Sequence, residues 1–348
     1  EFSVPYQLSP SDCEPLQMQE LLHMAGQEDR KQWEQLSLGY TESQGHPWLR
    51  ERIAQLYRGL DADSVLVLAP EEGIFIAMHS LLQTGDHVIT TFPAYQSLYE
   101  VARALGCQVE GWMPRKGNHW EFHPEDLKAL VQPKTRLLVL NFPHNPTGAS
   151  LTPETFRALV RWAGERGIAV FSDEMYRFLE PEGTPPLPAA CELSPAAVSL
   201  GGLSKSLSLP GLRIGWLVSQ DRDFLQKAAN FKDYTTICSS APSERLAIIA
   251  LKNREKIWKR NRRIIAGNLQ ELDAFFTRYA GVFRWMPPQA GPVAFPELLA
   301  ELPVETFCAR SVNEPGVMVL PATVYEYPGN HFRISAARRN MPEVLAVW

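Results

Sequence analysis

From about Leu36 to Ser219 the chain alternates short apolar runs with amphipathic stretches, and this alternation limits its folds more than any other feature. The runs at 65–68, 87–91, 108–112, 136–141, 168–172, 198–200 and 214–218 are mostly continuous rather than alternating apolar and polar residues. Strands buried on both faces have that pattern. Between them, 74–82, 95–105 and 153–166 read as helices, the last with Thr152 as N-cap and Pro153 at its first position. Strand and helix in turn predict a mostly parallel seven-stranded α/β sheet covered by helices, with ligands at the carboxyl ends of its strands.

At 348 residues the chain is long enough for two domains. We expect an N-terminal arm over 1–35, a large α/β domain over 36–230, and a linking helix with a small α+β domain over 231–348. In the last part 222–278 reads as helical, 291–295, 316–320 and 331–335 read as short strands, and the arm is expected to join the small domain. Residues 180–188 read as a surface loop.

A net charge of −5 supplies no electrostatic reason for nucleic acid or an anionic membrane as partner. No apolar run approaches membrane-spanning length, and no basic stretch followed by an apolar one suggests a secretory leader. Five scattered cysteines without a Cys-x-x-Cys pair read as reduced thiols in a cytoplasmic protein. No His-x-x-x-His pair suggests a metal site.

Three segments carry chemistry. Ser199-Leu-Gly-Gly-Leu-Ser-Lys-Ser-Leu-Ser-Leu-Pro-Gly-Leu-Arg-Ile-Gly-Trp216 sets Lys205 in a small, hydroxyl-rich turn with Arg213 eight residues on. A lysine that forms a Schiff base must be desolvated or lie near other cations, and the forked charge of arginine suits a phosphate. Taken alone, the segment reads first as a solvated lysine in a serine-rich loop. It lacks the Gly-x-x-x-x-Gly-Lys spacing of a nucleotide loop. In Asn141-Phe-Pro-His-Asn-Pro-Thr-Gly148, two X-Pro bonds fix the backbone that presents Asn145 after a buried strand. Ser172-Asp-Glu-Met-Tyr-Arg177 places Asp173 and Tyr176 after the next strand, where a carboxylate needs a cation or donor. A protonated pyridine nitrogen would serve, as would an ordinary cap.

As an ordered set, each after a strand, these segments resemble the class I/II aminotransferase family, the fold-type-I pyridoxal-phosphate enzymes. The resemblance spans nearly the whole chain and implies pyridoxal 5'-phosphate as cofactor. It makes Lys205 the Schiff-base lysine and proton carrier, Asp173 the partner of the pyridine nitrogen, and Asn145 and Tyr176 the donors to the ring hydroxyl. Arg213 matches the phosphate arginine. Tyr95, in Phe92-Pro-Ala-Tyr-Gln96, falls where the family stacks an aromatic ring on the cofactor. Gly39-Tyr-Thr-Glu-Ser-Gln-Gly-His-Pro-Trp-Leu-Arg50 is similar to the N-terminal signature whose tyrosine reaches the neighbouring subunit's phosphate. Tyr40 therefore implies a homodimer with shared sites, and Gly39 is expected near substrate. Arg333, in His331-Phe-Arg-Ile-Ser335, matches the arginine that grips the substrate carboxylate, with Asn145 beside it.

The phosphate turn departs from the pattern. Ala69-Pro-Glu-Glu-Gly-Ile74 puts Pro70, without an amide hydrogen, where glycine is common, and two carboxylates where an anion should sit. The backbone amides of Glu71 and Glu72 are expected to hold the phosphate with both side chains turned away. Gly202 replaces a usual serine, Ser204 is expected to compensate, and cofactor affinity is expected to be low. His46 and His144, beside the motifs, are either loop histidines or substrate contacts.

The resemblance implies an aminotransferase working on an amino acid and a 2-oxo acid. With no convincing second arginine for a side-chain carboxylate, a neutral or aromatic amino acid is favoured over a dicarboxylic one. Lyases and cyclising enzymes share these motifs, including carbon-sulfur lyases, aminocyclopropane-carboxylate synthases and capreomycidine synthase-like proteins. A non-catalytic binding protein of the same fold is the remote alternative.

Overall fold

The computed structural model describes residues 4–117 and 119–348. Its centre is a seven-stranded sheet of β1 (Val65–Leu68), β2 (His87–Thr91), β3 (Gln108–Trp112), β4 (Thr135–Asn141), β5 (Ala169–Asp173), β6 (Ala197–Gly202) and β7 (Gly215–Ser219). The spatial order is β1-β7-β6-β5-β4-β2-β3. Only β7 runs antiparallel to its neighbours. Every residue of β1, β2, β6 and β7 is buried, which is why these runs are mostly apolar instead of alternating, with His87, Thr90, Thr91, Ser199 and Ser219 as buried polar exceptions. Phe171 of β5 is fully buried, and Phe171→Ala would cost about 3–5 kcal/mol.

Register places the chemistry. Asn141, the last residue of β4, lies opposite Asp173, the last of β5, and Asp173 lies opposite Leu200 of β6. Three motif loops therefore leave one edge of the sheet side by side.

Helices α1 (Pro70–Leu81), α2 (Ser97–Ala104) and α3 (Pro153–Gly164) cover the sheet. Thr152 caps α3, accepting from Thr155 N at 3.2 Å, with Pro153 behind it as expected. The helix expected over 74–82 starts four residues earlier. Pro70 at its first position is pre-set for helical backbone, and Glu71 and Glu72 complement the positive end of the helix dipole. The Ala69–Gly73 segment is thus a first helical turn. The segment expected to begin a helix at 95 instead begins it at Ser97.

Beyond the sheet come α4 (Arg222–Lys232), α5 (Ala241–Lys252) and α6 (Arg254–Arg278). Short strands β8 (Val293–Ala294), β9 (Leu320–Pro321) and β10 (Phe332–Ser335) form a small sheet ordered β8-β10-β9. Helix α5 shares a core with β1 and β7 through Leu246, Ile248 and Ile249, so large-sheet packing continues past residue 230. The arm divides likewise. Tyr6–Gln7 pairs with Val317–Met318 on the small side, whereas Leu21 and Ala25 pack into the cluster that holds α5. Residues 181–186 are exposed as a loop should be, but Glu180 and Leu187 at its ends are buried.

Candidate active site

The motif loops line a cavity of about 590 Å³ that contains Lys205, Asp173, Tyr176, Asn145, Arg213 and Arg333. That volume suits a cofactor with a small substrate. Tyr95, Ser204 and Glu71 line the same cavity.

Lys205 follows β6 in a turn closed by Leu203 N to Ile214 O at 3.0 Å and Leu209 N to Leu203 O at 3.0 Å. Its Nζ donates to Ser11 Oγ at 2.7 Å. Burial lowers its pKa, and Arg333 adds to this, while Asp12 and Asp173 oppose it. A lysine held so is the nucleophilic kind.

Asp173 is buried at the end of β5, where Oδ1 accepts from Met175 N at 3.1 Å. Burial pushes its pKa up to about 6 against the Met175 amide and Lys205. A carboxylate in this condition gains from any cation brought to it. Asn141 fixes both neighbouring loops, donating to Asp173 O at 3.1 Å and accepting from Asn145 N at 2.8 Å. It opens the Asn-Phe-Pro-His-Asn-Pro motif, and that position was the only signal for it.

Asn145 uses Oδ1 to accept from Arg333 Nη1 at 3.0 Å, which leaves Nδ2 as its donor. Arg333 Nη2 donates to Ser9 O at 2.6 Å, while its buried Nε has no partner among the described residues. Tyr176 is buried with its hydroxyl near Ser11 but without a hydrogen bond of ordinary geometry. Burial raises its pKa strongly, so it remains a donor. Arg213 sits exposed at the cavity wall with left-handed backbone (φ 53°), its Nη1 donating to Pro210 O at 3.1 Å.

The two glutamates at the start of α1 diverge. Glu72 turns out of the site, accepting from Ala69 N at 3.3 Å and from the Thr235 and Thr236 hydroxyls. Glu71 stays at the cavity wall, accepting from the Tyr95 hydroxyl at 3.0 Å and from Ser97. The expectation that both side chains leave is therefore corrected for Glu71. Its hydroxyl partners, rather than outward rotation, occupy the charge. As the second and third residues of α1, both have amides with no helical acceptor.

Other expected residues lie elsewhere. Gly39 and Tyr40 line a separate cavity with His46 and Glu244, and Tyr40 is 90% exposed. His46 caps the helix Pro47–Ala54 through Nδ1, accepting from Trp48 N at 3.2 Å. His144 is fully buried between Phe122 and Thr147, with burial lowering its pKa to about 3. Neither histidine lines the Lys205 cavity. Conversely Ser11, Asp12 and Arg338 do line it, and no local pattern marked them. Arg338 is a second arginine after all, tied to Asp12 O and Oδ1 at 3.0 Å each.

A sequence profile of aminotransferase class I and II matches residues 13–347. The chain belongs to that family. Capreomycidine synthase of Streptomyces vinaceus is 29% identical to it over 296 residues, which cover 85% of this chain and 76% of the synthase. The arginine–pyruvate transaminase of Pseudomonas aeruginosa is 35% identical over 186 residues, 51% of this chain and 47% of that one. Among solved structures, a pyridoxal-phosphate-dependent aminotransferase from Streptococcus suis superposes with a TM-score of 0.92 at 28% identity, covering 99% of this chain and 92% of that one. The pyridoxal-phosphate-dependent cyclase OrfR superposes at 0.89 with 28% identity and the same coverage. This aminotransferase-family protein uses pyridoxal phosphate. Its cavity fits that group: a buried carboxylate at the base whose pKa stays raised despite Lys205, hydroxyls of Tyr176 and Ser204 with no partner among the described residues, and an arginine at the wall beside a helix N-terminus. No helix among the described residues is long and apolar enough to cross a membrane.

Proposed function

We propose that this enzyme is a transaminase that moves the amino group of an L-amino acid with a neutral or aromatic side chain to a 2-oxo acid. The observation that carries the reading is Lys205, a buried amine of lowered pKa between Asp173 and an arginine, Arg333, that can hold a carboxylate.

Pyridoxal phosphate, when bound, supplies the carbonyl carbon that receives the amino group and a ring that accepts electrons from the substrate Cα. Asp173 would face the ring nitrogen, and the Asn145 amide and Tyr176 hydroxyl would donate to the ring oxygen. Arg213, Ser204 and the amides of Glu71 and Glu72 would hold the phosphate, with Tyr95 against the ring. Arg333 binds the α-carboxylate and so orients the Cα–H bond. Lys205 would take that proton on Nζ and hold it for return. The arm carrying Ser11 and Asp12 shields the amine from water. Arg338 is held by Asp12 and so is not free for a side-chain carboxylate, which supports the choice against dicarboxylic substrates.

The working form is a homodimer. Leu38, Tyr40, Tyr234 and Ile237 are 81%, 90%, 91% and 51% exposed, an apolar expanse that a second copy would cover while bringing Tyr40 to its neighbour's phosphate. Five free thiols fit a cytoplasmic setting.

A cyclising or eliminating reaction is the second reading, favoured by the likeness to capreomycidine synthase and OrfR. A panel of amino acids with and without 2-oxo acids decides. Loss of the cofactor's aldehyde form on adding an amino acid, reversed by a 2-oxo acid, supports transfer. Ammonia or a cyclic product released without an acceptor refutes it.

A further inference from the structure

Every oxygen of the Glu71 carboxylate is occupied by a hydroxyl from the segment that opens α2. Oε2 accepts from Tyr95 at 3.0 Å and Oε1 from Ser97. Glu71 is itself the second residue of α1, so one carboxylate bridges the starts of two helices. Both positive helix ends stabilise a negative charge placed there. Tyr95, by contrast, is 41% exposed, so packing covers only part of its ring. Burial on its inner side, with Glu71 beside it, pushes its pKa up to about 12, so the hydroxyl stays a donor at ordinary pH.

We propose that Glu71 is a positioning residue for the Tyr95 ring: it pins the ring against the cofactor cavity, and the same two hydroxyls draw its carboxylate away from the anion that the α1 amides receive. The residue that looks like an obstacle to the phosphate is then a support for the cofactor. A tethered ring needs no reordering when a flat group slides beneath it, which removes part of the entropic cost of binding. The proposal rests on Tyr95 lying against the cofactor and is independent of whether the enzyme transfers, eliminates or cyclises.

The test is a cofactor titration of the cofactor-free protein, read by fluorescence quenching and by the induced circular dichroism of the bound cofactor. Glu71→Ala should weaken affinity by about fivefold to tenfold, the net worth of one hydrogen bond. It should also reduce the induced signal at saturation, because the ring is no longer held. Glu71→Gln, which keeps an acceptor for Tyr95, should recover most of both. Tyr95→Phe should weaken binding to a similar degree, and Glu71→Ala in the Tyr95→Phe background should add little. Tighter or unchanged binding by Glu71→Ala overturns the proposal, as does full additivity with Tyr95→Phe. The amino-acid panel is a separate readout, so failure here leaves the transaminase reading standing, and failure there leaves this one.

Discussion

Asn145 Oδ1 accepts a 3.0 Å hydrogen bond from Arg333 Nη1 across 188 residues of sequence, joining the loop after β4 to strand β10. The guanidinium is held from the other side by Ser9 O, so its plane is set before any substrate arrives. Preorganised charge of this kind costs little reorganisation when a carboxylate docks.

Arg333→Lys keeps the charge and loses the fork. The ammonium cannot serve Asn145, Ser9 and a substrate carboxylate together. The expected outcome is a KM for the amino acid raised by about 10- to 100-fold, the worth of one or two charge-assisted hydrogen bonds. Cofactor affinity should change much less, and steady-state kinetics beside a cofactor titration separate the two. An unaltered KM would remove Arg333 from the substrate site.

These two residues also show what the sequence discloses. Asn145 and Arg333 sit in runs with local character, a proline-locked loop and an apolar strand, and such runs are read without knowing the fold. Most strands of the large sheet were legible for the same reason, since burial on both faces writes a largely apolar run; β3, at the sheet edge and mostly half-buried, is the exception. Strand β6 extends through Gly201 and Gly202, which have no strand propensity. Pairing with Trp216 and Gly215 carries it on, and a Cβ at Gly201 would stand 2.4 Å from the Trp216 indole nitrogen. Asp12 and Arg338 were illegible because they meet across 326 residues and neither lies in a patterned segment. The place of Glu71 was illegible because its hydroxyl partners, Tyr95 before α2 and Ser97 at its start, are more than twenty residues away.

Asp12 and Arg338 make a specificity prediction. Asp12 neutralises Arg338, one of three arginines lining the cavity, so Asp12→Ala should release it to bind a side-chain carboxylate. The ratio of kcat/KM for a dicarboxylic over an aromatic amino acid should rise roughly tenfold, corresponding to about 1.4 kcal/mol for one partly exposed charge pair. Competition assays with both substrates would measure it. No change in the ratio would mean that Arg338 lies beyond the side chain's reach.

Asp173→Asn tests the base of the site. The asparagine can still accept from Met175 N, so local structure should hold. It cannot offer a negative charge to the ring nitrogen, and the rate of amino-group loss in a single turnover should fall on the order of 100-fold or more. A stopped-flow trace of the cofactor's absorbance would report this directly, and a near-wild-type rate would reassign Asp173 to structure.

Glu244 on α5 gives a pH prediction away from the Lys205 cavity. The residue is 1% exposed, Oε2 accepts from His46 N at 3.2 Å, and Oε1 has no partner among the described residues. Burial raises its pKa from 4.5 to about 7, more than the His46 amide and Lys232 lower it. The folded state therefore binds the proton more tightly than the unfolded one, and stability falls as pH rises from about 4.5 to 7. Below that window the group is neutral in both states and imposes nothing; above it the full cost of a buried charge applies. Glu244→Gln keeps an acceptor for His46 and removes the charge. It should stabilise the protein by about 3 kcal/mol at pH 8, the scale of a shift of this size, and by almost nothing at pH 4.5. Denaturant unfolding of both proteins at the two pH values is the measurement. A gain of equal size at both would show that the charge is not the cause, and destabilisation at pH 8 would show that Glu244 is worth more as the partner of buried Lys232.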